Sequence, residues 1–292
     1  MYSCKDHQVE TIHFGESDHD RNMLVSDSTV YRIASISKTV SAIALMQLAE
    51  QGLVHLDDVI GSILEFDVQN PYFTDRAITV RQLLTHTSGI IDGDTYSDFV
   101  STTYSDDYCK EHIFDALDLD ASFNVNHIDN INNVAVLYRK YGSNWSPQAD
   151  NYQGVQPEFT NLDGYIPGTN GLRFAPQAGL RIMAIDLPKL FSVFLDEGSY
   201  SGIQILEAES IEDMMAPEWE YNGSNGNNYY GLFRSWGLGM HLITNTANND
   251  IVLPESNKMF GHPGEAYGLV SDAYIDSLRK VGIIFMTNGS DT

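Results

Sequence analysis

The sequence predicts an α/β protein of the α+β type: an antiparallel sheet flanked by helices, with a mostly helical inserted region. Three observations carry this. A β-branched run at 29–33 leads straight into a long stretch, 34–51, whose apolar residues fall at largely helical spacing. Helical patterns recur through the middle of the chain, at 128–140, 185–195 and 205–215. The late strands, near 236–243, 258–261, 267–275 and 279–288, follow one another across turns with no helix between them, which calls for antiparallel pairing.

Taken in order, residues 9–15 read as a first strand and 29–33 as a second. The helix over 34–51 carries Ile36, Val40, Ile43, Met46 and Leu48, and Gly52 ends it. Thr79 is a natural N-cap for a short helix through Leu84, with a polar exit turn at 85–89. Residues 141–170 are rich in Gly, Pro, Asn and Tyr and read as a long loop over a cleft; 223–230 reads as a polar turn. The chain is expected to form a single domain, with 1–65 plus 220–292 as the sheet region and 66–219 as a helical and loop insertion. No internal repeat is evident.

Composition bounds the function. A chain of 292 residues with 42% hydrophobic content buries one substantial core. Its 40 acidic against 16 basic residues give a net charge of −24, and no Lys/Arg stripe is visible. That argues against binding nucleic acid or docking on an anionic membrane. No long apolar stretch calls for membrane insertion, and no leader is visible, so the chain as written reads as soluble and its compartment stays open. Cys4 and Cys109 fit no metal spacing and make at most one disulfide. His7, His13 and His19 form no recognisable ligand box, and Asp92-Gly93-Asp94 lacks the later ligands of a calcium loop. No cofactor or metal is called for. Sequons begin at Asn144, Asn222 and Asn288.

The chemistry is concentrated at Ser35-Ile36-Ser37-Lys38. Serine is a weak nucleophile and needs a neighbour to take its proton. A lysine three residues on lies on the same helix face, and it serves as that neighbour when its surroundings keep it neutral. Ser37 is the competing hydroxyl, but a lysine directly beside it on a helix points elsewhere.

Around this pair the chain resembles the serine β-lactamase-like hydrolases, which include class C β-lactamases, D-alanyl-D-alanine carboxypeptidases, D-aminopeptidases and certain esterases. The S-x-x-K element falls on Ser35 and Lys38. Leu56-Asp57-Asp58 is similar to the turn after the nucleophile helix, and the run from Ile78 to Gly89 is very similar to the I-T-x-R-x-L-L-T-H-T-S-G signature. Pro176-Gln177-Ala178-Gly179-Leu180-Arg181 resembles a P-x-G-G-L-x run, with alanine for the usual glycine; Phe260-Gly261-His262-Pro263-Gly264 resembles the F-G-H-x-G form of the third motif.

The resemblance implies a β-lactamase/transpeptidase-like fold and acyl transfer through Ser35, with Lys38 as base. It implies that Gly264 permits close substrate approach, that Glu265 supplies an oxyanion-hole N–H paired with that of Ser35, and that His262 orients the substrate or bonds to a tyrosine. His86 reads as a structural hydrogen-bonding residue. The family's Y-x-N element has no match; Tyr96-Ser97-Asp98 and Tyr104-Ser105-Asp106 stand in that interval. Tyr96 on a shortened loop is favoured over Tyr104 as the proton-sharing tyrosine, the third reading being that the segment is lost. An aspartate there would repel a substrate carboxylate. Relatives pack terminal helices over one sheet face, and both look absent or truncated here. Other elements compensate, a partner protein covers the face, or the chain is a fragment. The expected activity is hydrolysis of a small ester, amide or peptide substrate, and the alternative is an impaired relative serving as a binding or protein-interaction module.

Overall fold

The computed structural model describes residues 9–64, 66, 68–90, 104–158, 175–247, 249–254, 256 and 258–291. Residues 9–14 alternate between half-buried and exposed, as a strand would, yet no ladder forms there. The strand expected at 9–15 is displaced to β1 (Glu16–Asp18), which pairs antiparallel with β2 (Met23–Leu24). Alternation makes a strand only where a neighbouring backbone offers hydrogen bonds.

β3 (Val30–Arg32) then feeds a tight 3₁₀ turn, Ala34–Ile36, and the central helix α1 (Ser37–Glu50). Val40, Ile43 and Met46 of α1 share one buried core with Phe191, Leu238, Ile275 and Ile284. Three polar residues of α1, Ser37, Thr39 and Gln47, are buried as well: Thr39 donates to the Gly239 carbonyl at 3.0 Å and Gln47 to that of Ile205 at 3.0 Å. A helix buried nearly all round tolerates such side chains only when they are paired in this way. Gly52, in the left-handed region at φ 70°, ends it, with the Leu53 N–H reaching back to the Leu48 carbonyl.

α2 (Ile60–Leu64) and α3 (Val80–Leu84) follow. Thr79 caps α3 as expected, within a full capping box: its hydroxyl accepts from the Gln82 N–H and its own N–H donates to Gln82 Oε1. Arg81 ties the neighbouring motifs together by donating to Asp57 at 2.9 Å and to Glu218 at 2.8 Å. α4 (Tyr104–Cys109) continues into a π-helical turn, Lys110–Phe114, and then β4 (Ala121–Ser122).

The helix expected at 128–140 does not form. Asn130 instead accepts from the Asn132 N–H to cap a single 3₁₀ turn, Ile131–Asn133, and β5 (Leu137–Tyr141) follows. Asparagine side chains that bond their own backbone compete with helix. The run Val134, Ala135, Val136 is 0–2% exposed and bonds to Ser17 and Val30 through its backbone, so it lacks the polar face an amphipathic helix needs. The loop expected at 141–170 begins as a hairpin: β6 (Asn144–Ala149) pairs with β5 across a two-residue turn led by Gly142 at φ 63°. The insertion is thus less helical than its sequence suggests.

β7 (Arg181–Met183) lies between β3 and β4 in a three-stranded antiparallel sheet. α5 (Asp186–Ser192), the hairpin β8 (Ser199–Tyr200) and β9 (Ile203–Gln204), and α6 (Ala208–Met215) complete the middle of the chain. The late region is the expected antiparallel meander, in the spatial order β10 (Trp219–Glu220), β11 (Ser235–Trp236), β12 (His241–Leu242), β13 (Phe260–Ala266), β14 (Leu269–Asp276) and β15 (Val281–Met286). The strand expected at 236–243 is two short ones, because Gly239 at φ 70° turns the chain between them, with no room for a side chain beside Ala42. β13 runs past Gly261 and carries His262, Gly264 and Glu265 within the strand itself.

One face of this sheet packs on α1. On the other, Val252 and Leu253 from the segment between β12 and β13 pack against Ile243, Met259, Tyr274 and Ile283. Beyond that cover Phe285 stays 51% exposed. β16 (Gly289–Ser290) adds in parallel to β5, and just before it the Asn288 side chain donates to the carbonyls of Glu16, Ser17 and Val136 at 3.0–3.3 Å.

Candidate active site

The turn between β3 and α1 sets the serine. Ala34 is fully buried and held at φ 46°, a left-handed conformation that a residue with a Cβ adopts at a cost of about 1–3 kcal/mol. Its side chain packs between Leu137 and Leu269, which holds the backbone there. The chain reverses sharply at this point, and Ser35 emerges at the wall of the main cleft.

Lys38 Nζ lies 2.9 Å from Ser35 Oγ and donates at 3.0 Å to the carbonyl of Gln177. The segment 176–181 is what aims the lysine. Ser41 donates to the Pro176 carbonyl at 3.0 Å, and the Leu180 N–H donates to Ser37 Oγ at 3.1 Å. Ser37, fully buried, therefore holds a loop and does not face the cleft. Arg181, at the end of that segment, meets Arg32 on one buried carboxylate: Asp150 accepts from both guanidinium groups at 2.7 Å. Burial alone would raise the Asp150 carboxyl, but Arg181 and Arg32 outweigh it and hold it well below the ordinary range.

β13 forms the opposite wall. A Cβ built on Gly264 would stand 3.2 Å from the Ser35 nitrogen and 2.5 Å from the Ile33 carbonyl oxygen, so strand and nucleophile turn are in direct backbone contact. Glu265 follows with an exposed side chain that also lines the cleft. His262 is 4% exposed, and its Nδ1 lies 2.6 Å from the Pro263 carbonyl. A carbonyl only accepts, so Nδ1 carries the proton, and Nε2 is left as a buried acceptor with no partner among the described residues. Burial, with Lys38, His86 and His241 adding to it, keeps this ring neutral well below the ordinary histidine range.

The cleft has a volume of about 1710 Å³. His86, at φ 55° in the turn after α3, packs tilted against Trp236 with 4.7 Å between ring centroids and is pushed down to about 4 by burial and then by Lys38. His241 bonds through Nδ1 to the Tyr274 hydroxyl at 2.9 Å and is likewise lowered to about 4, chiefly by burial. His86, His262 and Trp236 thus form one patch beside the lysine. Sequence reasoning placed Ser35, Lys38, His262, Gly264 and Glu265 at the site, and all five line this cleft. It did not single out the Gln177 carbonyl, Trp236 or His241, whose residue types carry no spacing signal. Tyr96 lies outside the described residues, as does Asp92-Gly93-Asp94; of Tyr104 the helix α4 is described.

Residues 4–106 match the Beta-lactamase family model. Protein flp of Staphylococcus aureus is 33% identical over 89 residues, which cover 30% of this chain and 18% of that protein; the chain thus matches under a fifth of that relative's length. In fold, the octameric penicillin-binding protein homologue from Pyrococcus abyssi superposes with a TM-score of 0.73 at 20% identity, covering 100% of this chain and 69% of that one. The D-amino acid amidase from Ochrobactrum anthropi SV3 superposes with a TM-score of 0.66 at 17% identity, over 99% and 86% of the two chains. The serine-bearing segment thus matches the Beta-lactamase family model, and over its whole length the chain shares the fold of a penicillin-binding protein homologue, a D-amino acid amidase and a class C β-lactamase.

Proposed function

We propose that this protein is a serine hydrolase that cleaves a small ester or amide through an acyl-enzyme on Ser35. The observation that carries the reading is the 2.9 Å contact between Lys38 Nζ and Ser35 Oγ beside the backbone of Gly264. Neutral Lys38 takes the proton as Ser35 Oγ attacks the carbonyl carbon, and it returns that proton to the leaving oxygen or nitrogen as the bond breaks. Water then attacks the acyl carbon, Lys38 accepts its proton, and Ser35 Oγ leaves and is reprotonated. The N–H groups of Ser35 and Glu265 are the assigned donors to the oxyanion, a contribution of about 3 kcal/mol for each donor in comparable sites.

Ester cleavage needs less help at the leaving group than amide cleavage. The amide arm draws support from the shared fold of the D-amino acid amidase. Labelling by a fluorophosphonate and turnover of a chromogenic short-chain ester are expected in the parent protein and lost in Ser35→Ala and Lys38→Ala. Folded protein that shows neither Ser35-dependent labelling nor turnover would sink the reading.

A further inference from the structure

Lys38 is the one lysine or arginine among the described residues lining the cleft, whereas Glu265, Asp250 and Asp272 put three carboxylates on its walls. If Lys38 is the base, it is neutral in the state that reacts, and the described residues lining the competent cleft then hold no cation. A substrate carboxylate would meet a double penalty there. It would sit among like charges, and it would favour protonated Lys38, removing the base from the fraction of enzyme able to react.

Among the polar groups on the cleft wall, one is an acceptor with nothing donating to it. His262 Nε2 is buried in the cleft wall with no partner among the described residues, and its tautomer is fixed by the Pro263 carbonyl. An unpaired buried acceptor is costly until something donates to it. Next to it stands an aromatic wall: Trp236 lies 5.3 Å from the His262 ring and 5.2 Å from Phe233, with Trp219 and Tyr229 farther along the cleft. Flat faces of this kind hold an aromatic or bulky apolar group.

Building on the hydrolase reading, we propose that the cleft selects an ester or amide that carries no carboxylate, seats an aromatic group against the Phe233–Tyr229 end of the aromatic wall and donates a hydrogen bond to His262 Nε2. A substrate of the opposite kind, anchored by its carboxylate, finds no counter-ion besides Lys38 among the described residues of this cleft.

Two arms separate the substrate class from the hydrolase reading. In the first, the Ser35→Ala protein is titrated with phenylacetylglycinamide and with phenylacetylglycine, following tryptophan fluorescence and confirming by calorimetry. The amide is expected to bind at least about tenfold more tightly than the acid, with the gap narrowing in high salt and in Asp272→Asn. Equal affinities, or tighter binding of the acid, would overturn the proposal whether or not the protein turns anything over. In the second arm the parent protein hydrolyses p-nitrophenyl 3-phenylpropionate and its 4-carboxyphenyl analogue, and kcat/KM is expected to favour the uncharged ester by about tenfold or more. His262→Phe, which keeps a ring but removes the acceptor, is expected to weaken phenylacetylglycinamide and leave N,N-dimethyl-phenylacetamide unchanged. Equal losses for both ligands would show that His262 only packs. Absence of turnover with the binding preference intact would discard the hydrolase reading and keep the ligand class.

Discussion

Ser35 and Gly264 meet backbone to backbone, with 3.2 Å between the serine nitrogen and the place a Cβ would occupy on the glycine. The Ile33 carbonyl crowds the same point at 2.5 Å, so an added methyl must push β13 away from the nucleophile turn. Gly264→Ala is expected to lower the rate of Ser35 acylation by about 100-fold or more, through a misplaced oxyanion donor. Overpacking is expected to cost about 1–3 kcal/mol of stability as well. Stopped-flow acylation and urea unfolding measure the two separately, and a parental acylation rate would remove Glu265 from the oxyanion site.

Lys38 is distinguished from a mere positive charge by Lys38→Arg. Arginine keeps the cation but cannot give up its proton at neutral pH. Lys38→Arg and Lys38→Met are both expected to lose about 10²–10⁴-fold in ester turnover. Substantial rescue by arginine would show that charge, and not proton transfer, is the contribution of this side chain.

Asp150 holds two arginines that anchor the lysine-aiming segment to β3. Asp150→Ala strands both guanidinium groups in a buried setting, a change that typically costs about 3–5 kcal/mol. Chemical denaturation checks the size of the loss. Because Arg181 closes the segment that carries the Gln177 carbonyl, acylation is expected to slow in the protein that still folds.

Stability is expected to fall as the pH drops below neutrality. His86 and His241 titrate near 4 in the folded protein against an ordinary 6.5, so between those values the unfolded chain takes up protons that the folded chain refuses. Asp272 works the other way: burial raises it from 3.8 to about 6, so the folded chain binds a proton there that the unfolded chain does not. The two histidines outweigh it, and buried His262 acts in the same direction, for a net loss of at least about 2 kcal/mol by pH 5. Urea midpoints at pH 7 and pH 5 test the sign, and Asp272→Asn is expected to steepen the fall. A midpoint that rises toward pH 5 would contradict the burial of these rings.

Much of the fold was legible because its signals were local. The α1 periodicity, the Gly52 stop, the Thr79–Gln82 cap and the run of late strands each depend on residues close in sequence. The expected helix at 128–140 failed where tertiary contact decides: Val134 to Val136 are apolar enough for either state, and the backbones of Ser17 and Val30 claim them. The missing strand at 9–15 shows the converse, a correct alternation with no ladder to join. At the site, Ser35 and Lys38 stood out because their spacing has chemical meaning. The left-handed Ala34 and the Gln177 carbonyl could not stand out, since an alanine does not announce its φ and every residue owns a carbonyl.

The Asn288 clasp bears on how the chain comes to be folded. Its amide nitrogen reaches Glu16, 272 residues away, and Val136, 152 residues away. Contacts of such separation are slow to form, and during synthesis β1 and the start of β5 must wait for Asn288 before they are pinned. The same nitrogen is the atom a glycan would take in the Asn288-Gly289-Ser290 sequon. Modification and clasp compete for one amide, so sugar at Asn288 would have to be added before closure and would leave β1 and the start of β5 unfastened.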